Sequence, residues 1–161
     1  VDKCIVLEDD DVPSVSFFTF CKEMLDKYEQ DTRITMIAGF NNEEITPDVP
    51  YDYFFASTFS IWGWASWKRV IDQWDEHYTF LEDKFNMQQL EQLIKERKFR
   101  KDFIYMCHRH KENNKAYYET IFHASMLFNS GLAIVPTRNM INNLGATADS
   151  THFCRFCAYT A

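Results

Sequence analysis

Apolar residues are spaced along this chain with two periods, and the places where one gives way to the other mark its elements. Lys3 to Leu7, apolar from Cys4 onward, reads as a short, fully buried strand of the kind found in parallel sheets. Pro13-Ser14 then reads as a helix start, and Phe17, Phe18, Cys21, Met24, Leu25 and Tyr28 recur at helical spacing on one face. Residues 34–38 are a second strand, stopped at Gly39, and residues 41–52, with Pro47 and Pro50, form an irregular loop. A strand–helix–strand unit follows, for which parallel pairing of the two strands and a right-handed crossover are expected.

Further along, residues 53–58 lean toward strand. Trp62 to Trp67 leads into a helix whose inner face carries Trp67, Val70, Ile71 and Trp74. An amphipathic helix is expected over residues 86–97 through Leu90, Leu93 and Ile94, and the basic stretch 95–101 turns its charges to solvent. A last helix spans 117–128 and stops near Gly131; the strand 132–135 ends at Pro136. Residues 139–153 are polar and expected to fold back over whatever site the strands build. No internal repeat or low-complexity tract interrupts this order.

With 161 residues, the chain suits one domain with a sizeable core, so residues 1–161 are read as a single unit. A formal charge of −7 argues against nucleic-acid binding, which needs a basic face. Any bound nucleotide would need a metal bridge. The fifteen Phe, eight Tyr and four Trp suit a packed core, which takes most of them, and also supply platforms for sugar rings. No apolar run reaches the roughly eighteen residues of a membrane span, and no leader pattern opens the chain. A cytoplasmic location is expected. The five cysteines are scattered, and no disulfide framework is predicted. No Asn-x-Ser/Thr acceptor is present, in keeping with a bacterial cytosolic origin.

The first strand ends in Glu8-Asp9-Asp10-Asp11. Four like charges repel and raise one another's pKa unless a cation or solvent compensates them. Carboxylate oxygens are hard ligands suited to Mg2+ or Mn2+, and in an open α/β sheet ligands bind outside the carboxyl ends of the strands. A solvated acidic turn is the plain alternative. Zinc is a third reading, through Cys154-x-x-Cys157 with His152 or through Cys107-His108-Arg109-His110, but no second Cys-x-x-Cys exists.

Residues 5–14, Ile-Val-Leu-Glu-Asp-Asp-Asp-Val-Pro-Ser, resemble the acidic metal motif of the nucleotide-diphospho-sugar glycosyltransferases with the GT-A fold. Trp62-Gly63-Trp64-Ala65-Ser66-Trp67-Lys68 is similar to the Trp-Gly-Trp-Ala-Thr-Trp block of a bacterial branch, some of whose members are labelled hemolysin-like or polysaccharide-biosynthesis proteins. Asn139 to Gly145 resembles its Asn-Leu-x-x-Asn-Ile-Gly segment, and Asp149-Ser150-Thr151-His152 its closing Asp-x-Thr-His. The four segments share order and spacing with the family over nearly the whole chain.

The resemblance implies an α/β fold, an incomplete GT-A-like sandwich with a mixed sheet flanked by helices and the N-terminal nucleotide-binding half missing. It implies Asp10 as the direct metal ligand, with Glu8 and Asp9 contributing metal or donor ribose contacts and Asp11 a solvated neighbour. His152 would complete the metal shell or touch donor phosphates; taken alone it reads as an exposed terminal histidine. The family's Trp-Asp pair at the start of the last helix is replaced by Tyr118-Glu119. Glu119 is thus the candidate general base, with a longer side chain, or else an acidic residue favouring the positive end of a helix. Trp67 reads as core, whereas Trp62 and Trp64, flanking Gly63, are candidates for stacking on a sugar.

The implied activity is metal-dependent transfer of a sugar from a nucleotide-diphosphate donor to a glycan or lipid-linked acceptor, with inversion. The cofactor is Mn2+ or Mg2+. The alternative is a non-catalytic carbohydrate-binding or assembly module on the same fold. As the chain begins at the motif's own strand, it reads as part of a longer protein whose full-length parent is peripheral to the inner membrane. The isolated portion is expected to be inactive and to self-associate through its truncated sheet edge.

Overall fold

The computed structural model describes residues 1–145. They build a mixed α/β structure, with a five-stranded mixed sheet, a two-stranded ribbon and five α-helices among the described residues. These group into two compact units: Val1–Ile71 together with the described chain from Leu132 onward, and Asp72–Gly131.

The first unit holds the sheet. Its strands are β1 (Lys3–Val6), β3 (Ile34–Ala38), β4 (Tyr53–Ala56), β5 (Trp64–Trp67) and β6 (Leu132–Pro136), in the order β1-β5-β3-β6-β4. Only β3 and β6 pair in parallel; β5 is antiparallel to both β1 and β3, and β4 to β6. β1, β3 and β6 therefore share one direction, and their carboxyl ends lie along one edge of the sheet. The expected β1–β3 pairing is not formed, because β5 inserts between them with Lys3 opposite Trp67 and Val6 opposite Trp64.

β5 is also where the tryptophan block departs from expectation. Trp64-Ala65-Ser66-Trp67 is a strand with every residue buried, and only Lys68–Ile71 (α2) is helical. A four-residue apolar run has no periodicity to separate strand from helix. The Ser66 hydroxyl donates to the Thr35 carbonyl at 2.7 Å, satisfying a buried polar group in the sheet.

Helix α1 (Val15–Lys27) covers the sheet with Phe17, Phe20, Cys21, Met24 and Leu25. Phe20 takes the place expected for Phe18, which is exposed. At about 100° per residue, the buried set spans one arc running from Phe20 through Met24, Phe17 and Cys21 to Leu25, and Phe18 falls just beyond its end. The Trp67 indole N–H donates to the Leu25 carbonyl at 3.1 Å. The ribbon pairs β2 (Asp11–Pro13) antiparallel with β7 (Ile141–Asn143), so the segment after β6 does fold back onto the acidic end of β1.

The second unit is helical: α3 (Lys84–Leu93), α4 (Arg97–Glu112) and α5 (Tyr118–Phe128), preceded by a short 3-10 turn at Thr79–Glu82. Its core contains Tyr78, Phe80, Leu90, Phe103, Cys107 and Phe122. The helix expected over 86–97 divides in two. α3 ends at Leu93, and the Glu96 carboxylate then caps α4 by accepting the Lys98 and Phe99 N–H groups. The basic stretch is thus the first turn of a sixteen-residue helix with Phe103 and Cys107 on its buried side. Asp83 caps α3 in the same way, through the N–H groups of Phe85 and Asn86.

Candidate functional site

Glu8, Asp10 and Asp11 converge where β1 ends. One carboxylate oxygen of each lies within 4.8 Å of the others, and all three side chains are half-buried. Among the described residues this is the one group of three or more His, Cys, Asp or Glu side chains so placed. Asp9 is exposed and outside it.

Asp11 organises the cluster. Its Oδ2 accepts the Glu8 N–H at 3.0 Å and the Gly63 N–H at 2.9 Å, and its Oδ1 accepts from the Asn143 amide at 3.1 Å. It is therefore no solvated neighbour, as the sequence suggested. The same Asn143 Nδ2 donates to Asp10 Oδ1 at 3.0 Å, and the Leu144 N–H donates to the Asp10 carbonyl at 2.9 Å. Three N–H donors turned toward two carboxylates offset part of the repulsion among the three acids. Each oxygen that accepts one N–H keeps a second lone pair. Glu8, Asp10 and Asp11 together form a donor set that could hold a hard divalent cation.

Two glycines make the geometry possible. Gly63 stands at φ +58°, where a side chain is strained, and a Cβ there would meet Ile141 and come within 3.3 Å of Leu7 Cδ2. Its carbonyl also accepts the Gly39 N–H at 2.7 Å, tying the starts and ends of neighbouring strands together. Gly145 passes so close to Asp10 that a Cβ would collide with the carboxylate. Ile141, 1 % exposed, fills the space beside Gly63 and anchors β7 under the site. Asn139 fixes the approach: its Oδ1 accepts the N–H groups of Asn41 and Ile141, and its amide donates to the Ile141 carbonyl at 2.8 Å.

The sequence-derived aromatic platforms separate. Trp64 is 3 % exposed and belongs to the core of the sheet, so its ring presents no surface for a sugar. Trp62 is half-exposed and meets Phe40 edge-on at 4.7 Å between ring centres. Further along the same sheet edge, beside β6 and β4, a recess of about 320 Å³ is lined by Pro47, Tyr51, Asp52, Thr137 and Arg138 among others. The strand order puts it four inter-strand spacings, about 19 Å, from the acidic end of β1.

Glu119 lies in the second unit, in the first turn of α5 and half-buried. His152 lies outside the described residues, as do Asp149 to Thr151, Cys154 and Cys157. Cys107 is buried within α4 while His108 is exposed, so the Cys107-to-His110 run does not present its donors to one point. Burial pushes the Cys21 and Cys107 thiols up to about 12, leaving both inert at neutral pH. Sequence reasoning passed over Asp11 and Asn143. The signal available was the pair of short polar strands, Asp11-Val12-Pro13 and Ile141-Asn142-Asn143, whose pairing no local pattern announces.

No family model matches the chain, and neither does any curated protein sequence.

Proposed function

We propose that this chain is the catalytic part of a metal-dependent glycosyltransferase of GT-A type, which moves a sugar from a nucleotide diphosphate to a glycan or lipid-linked acceptor. The observation that carries the reading is the Glu8–Asp10–Asp11 cluster just past the carboxyl end of the edge strand β1, where β7 pairs with β2. A divalent cation bound there would supply an electrophile for the leaving diphosphate. The chain's own residues do the rest. Glu8, Asp10 and Asp11 each contribute a carboxylate oxygen, Asp11 accepts the Glu8 N–H, Asn143 donates to Asp10 and Asp11, and Gly63 and Gly145 let the backbone pack closely against Ile141 and Asp10. The half-exposed Trp62 offers a ring face for a sugar, and the Tyr51–Arg138 recess on the same sheet edge suits a distal part of an extended acceptor.

In this reading Glu119 is the general base. It takes the proton of the acceptor hydroxyl as that oxygen bonds to the anomeric carbon, while the bond from that carbon to the diphosphate breaks.

Calorimetric titration of Mn2+ into the chain, with and without uridine or guanosine diphosphate, tests the proposal. Mn2+ binding that the diphosphate strengthens, and that Asp10→Ala weakens about tenfold or more, is expected. Absent metal binding, or binding indifferent to Asp10→Ala, sinks the metal assignment. Glu119→Gln is expected to lower transfer by about 10²- to 10⁴-fold at unchanged diphosphate affinity, and full activity removes Glu119 from the mechanism. Tyr118-Glu119 in place of Trp-Asp favours the second reading, a binding module without turnover; glycan binding with no transfer from any sugar nucleotide would select it.

A further inference from the structure

We propose that Tyr53 is a nucleophilic phenol, a site of covalent O-acylation that stands independently of the transferase reading. Its hydroxyl is the meeting point of a small polar network between β4 and α1. Lys27 Nζ donates to the Tyr53 hydroxyl at 2.7 Å, and the Tyr28 hydroxyl lies 2.8 Å from it. A neutral Tyr53 donates to Tyr28; once ionised it accepts from both neighbours, because the Tyr28 hydroxyl can turn its proton toward the new charge. Two donors on one oxygen, one of them cationic, favour the phenolate over the phenol.

The cation is not taken up by an acid. Among the described residues Lys27 has no ion-pair partner, and the acids nearest in the chain to the two groups, Glu23 and Asp52, are exposed. The other side chains set against the phenol are uncharged: α1 adds Phe20, and β6 places Pro136 opposite Tyr53. The hydrogen bond to Tyr53 holds Lys27 above its ordinary value, so it stays an ammonium and is not itself the nucleophile. Burial pushes the Tyr53 phenol up, but the Lys27 and Tyr28 hydrogen bonds outweigh it and leave the group below its ordinary value. Burial and the Tyr53 hydroxyl push Tyr28 the other way. Tyr53 is therefore the phenol of the pair that ionises first.

The site is also open to a reagent. β4 is an edge strand, so among the described residues no further strand covers its outer side. Tyr53 and Phe55, two residues apart, share one face of the strand. Phe55 is 48 % exposed beside both tyrosine rings, at 5.8 Å from Tyr28 and 6.0 Å from Tyr53 between ring centres. That ring gives the apolar part of an acyl donor a surface next to the nucleophile. In the reaction the phenol's proton passes to solvent and the oxygen bonds to the acyl carbon, while the bond from that carbon to its leaving group breaks and the leaving group keeps the electron pair.

Acetylation of the 161-residue chain with N-acetylimidazole at neutral pH, mapped by peptide mass spectrometry, tests this. Tyr53 is expected to be labelled first, ahead of Tyr51 and Tyr105, which are 74 % and 61 % exposed and would lead if exposure alone decided. Hydroxylamine should remove the label, since it cleaves an aryl ester and leaves a lysine amide intact. Lys27→Met is expected to lower the Tyr53 rate by about tenfold, and Lys27→Arg, which keeps the charge, by less. Circular dichroism checks that each variant remains folded. Without any change at Lys27, absorbance titration of the phenols should lose its earliest-ionising step in Tyr53→Phe. Faster labelling of Tyr51 or Tyr105, a Tyr53 rate indifferent to Lys27→Met, or an unaltered first step in Tyr53→Phe overturns the proposal.

Discussion

Asp11 and Gly63 show what single residues contribute to the site. Asp11 sits in a run of four acids, and nothing in that run separates the carboxylate that organises the cluster from the exposed one at Asp9. The separation comes from which backbone N–H groups face each side chain. Gly63 supplies one of those donors from a backbone conformation that costs a non-glycine residue about 1–2 kcal/mol. Gly63→Ala adds a collision with Ile141 to that strain, so it is expected to lower stability by about 2–4 kcal/mol in denaturant unfolding and to weaken Mn2+ binding. In the double variant with Ile141→Ala the added Cβ enters space that the isoleucine vacates, and the loss is smaller than the sum of the two singles. Simple additivity would show that the two residues do not crowd each other. The acidic run and Gly63 were legible in the sequence, but the partner Asn143 stands 132 residues from Asp11, beyond the reach of any local pattern.

At the level of elements, the pattern was readable where apolar residues were many and evenly spaced. α1, β3 and β6 form within a residue or two of the expected positions. β5 and α4 did not announce themselves, for different reasons. The run Trp64–Trp67 is too short to show a period, and its strand character follows from lying between β1 and β3. In α4 the cations of its exposed side obscure the spacing of Phe99, Phe103 and Cys107, and the break before it rests on the Glu96 cap. The elements should also differ in how readily they open. All five residues of the central strand β3 are buried, whereas β2 and β7 share only three residue pairs at the margin of the unit. Hydrogen exchange should therefore be slowest in β3 and β6 and orders of magnitude faster in β2 and β7. Equal protection would mean that the strand pair over the acidic cluster is as firmly held as the sheet.

Over the whole molecule, a half-buried histidine of the second unit links stability to pH. His123 packs against the rings of Phe99 and Phe103, and burial pushes its pKa from 6.5 down to about 4. Above 6.5 both folded and unfolded chains carry it neutral, and it has no effect. Between 6.5 and about 4 the unfolded chain binds the proton first, so stability falls as pH falls, and the loss is complete below about 4 at about 3 kcal/mol. His123→Gln should flatten that part of the profile relative to the native chain, measured as denaturant midpoint against pH; coincident profiles would show that His123 titrates normally in the folded state. By itself the sequence determined the α/β class, the buried helix face of α1, the central strands β3 and β6, and a run of acids after the first strand. These follow from burial and repulsion between near neighbours, which short patterns record. Tertiary structure alone decided the order β1-β5-β3-β6-β4, the burial of Trp64, and the gathering of Glu8, Asp10 and Asp11 around Asn143 and Gly63. Those depend on hydrogen bonds between segments that meet only when the chain closes on itself.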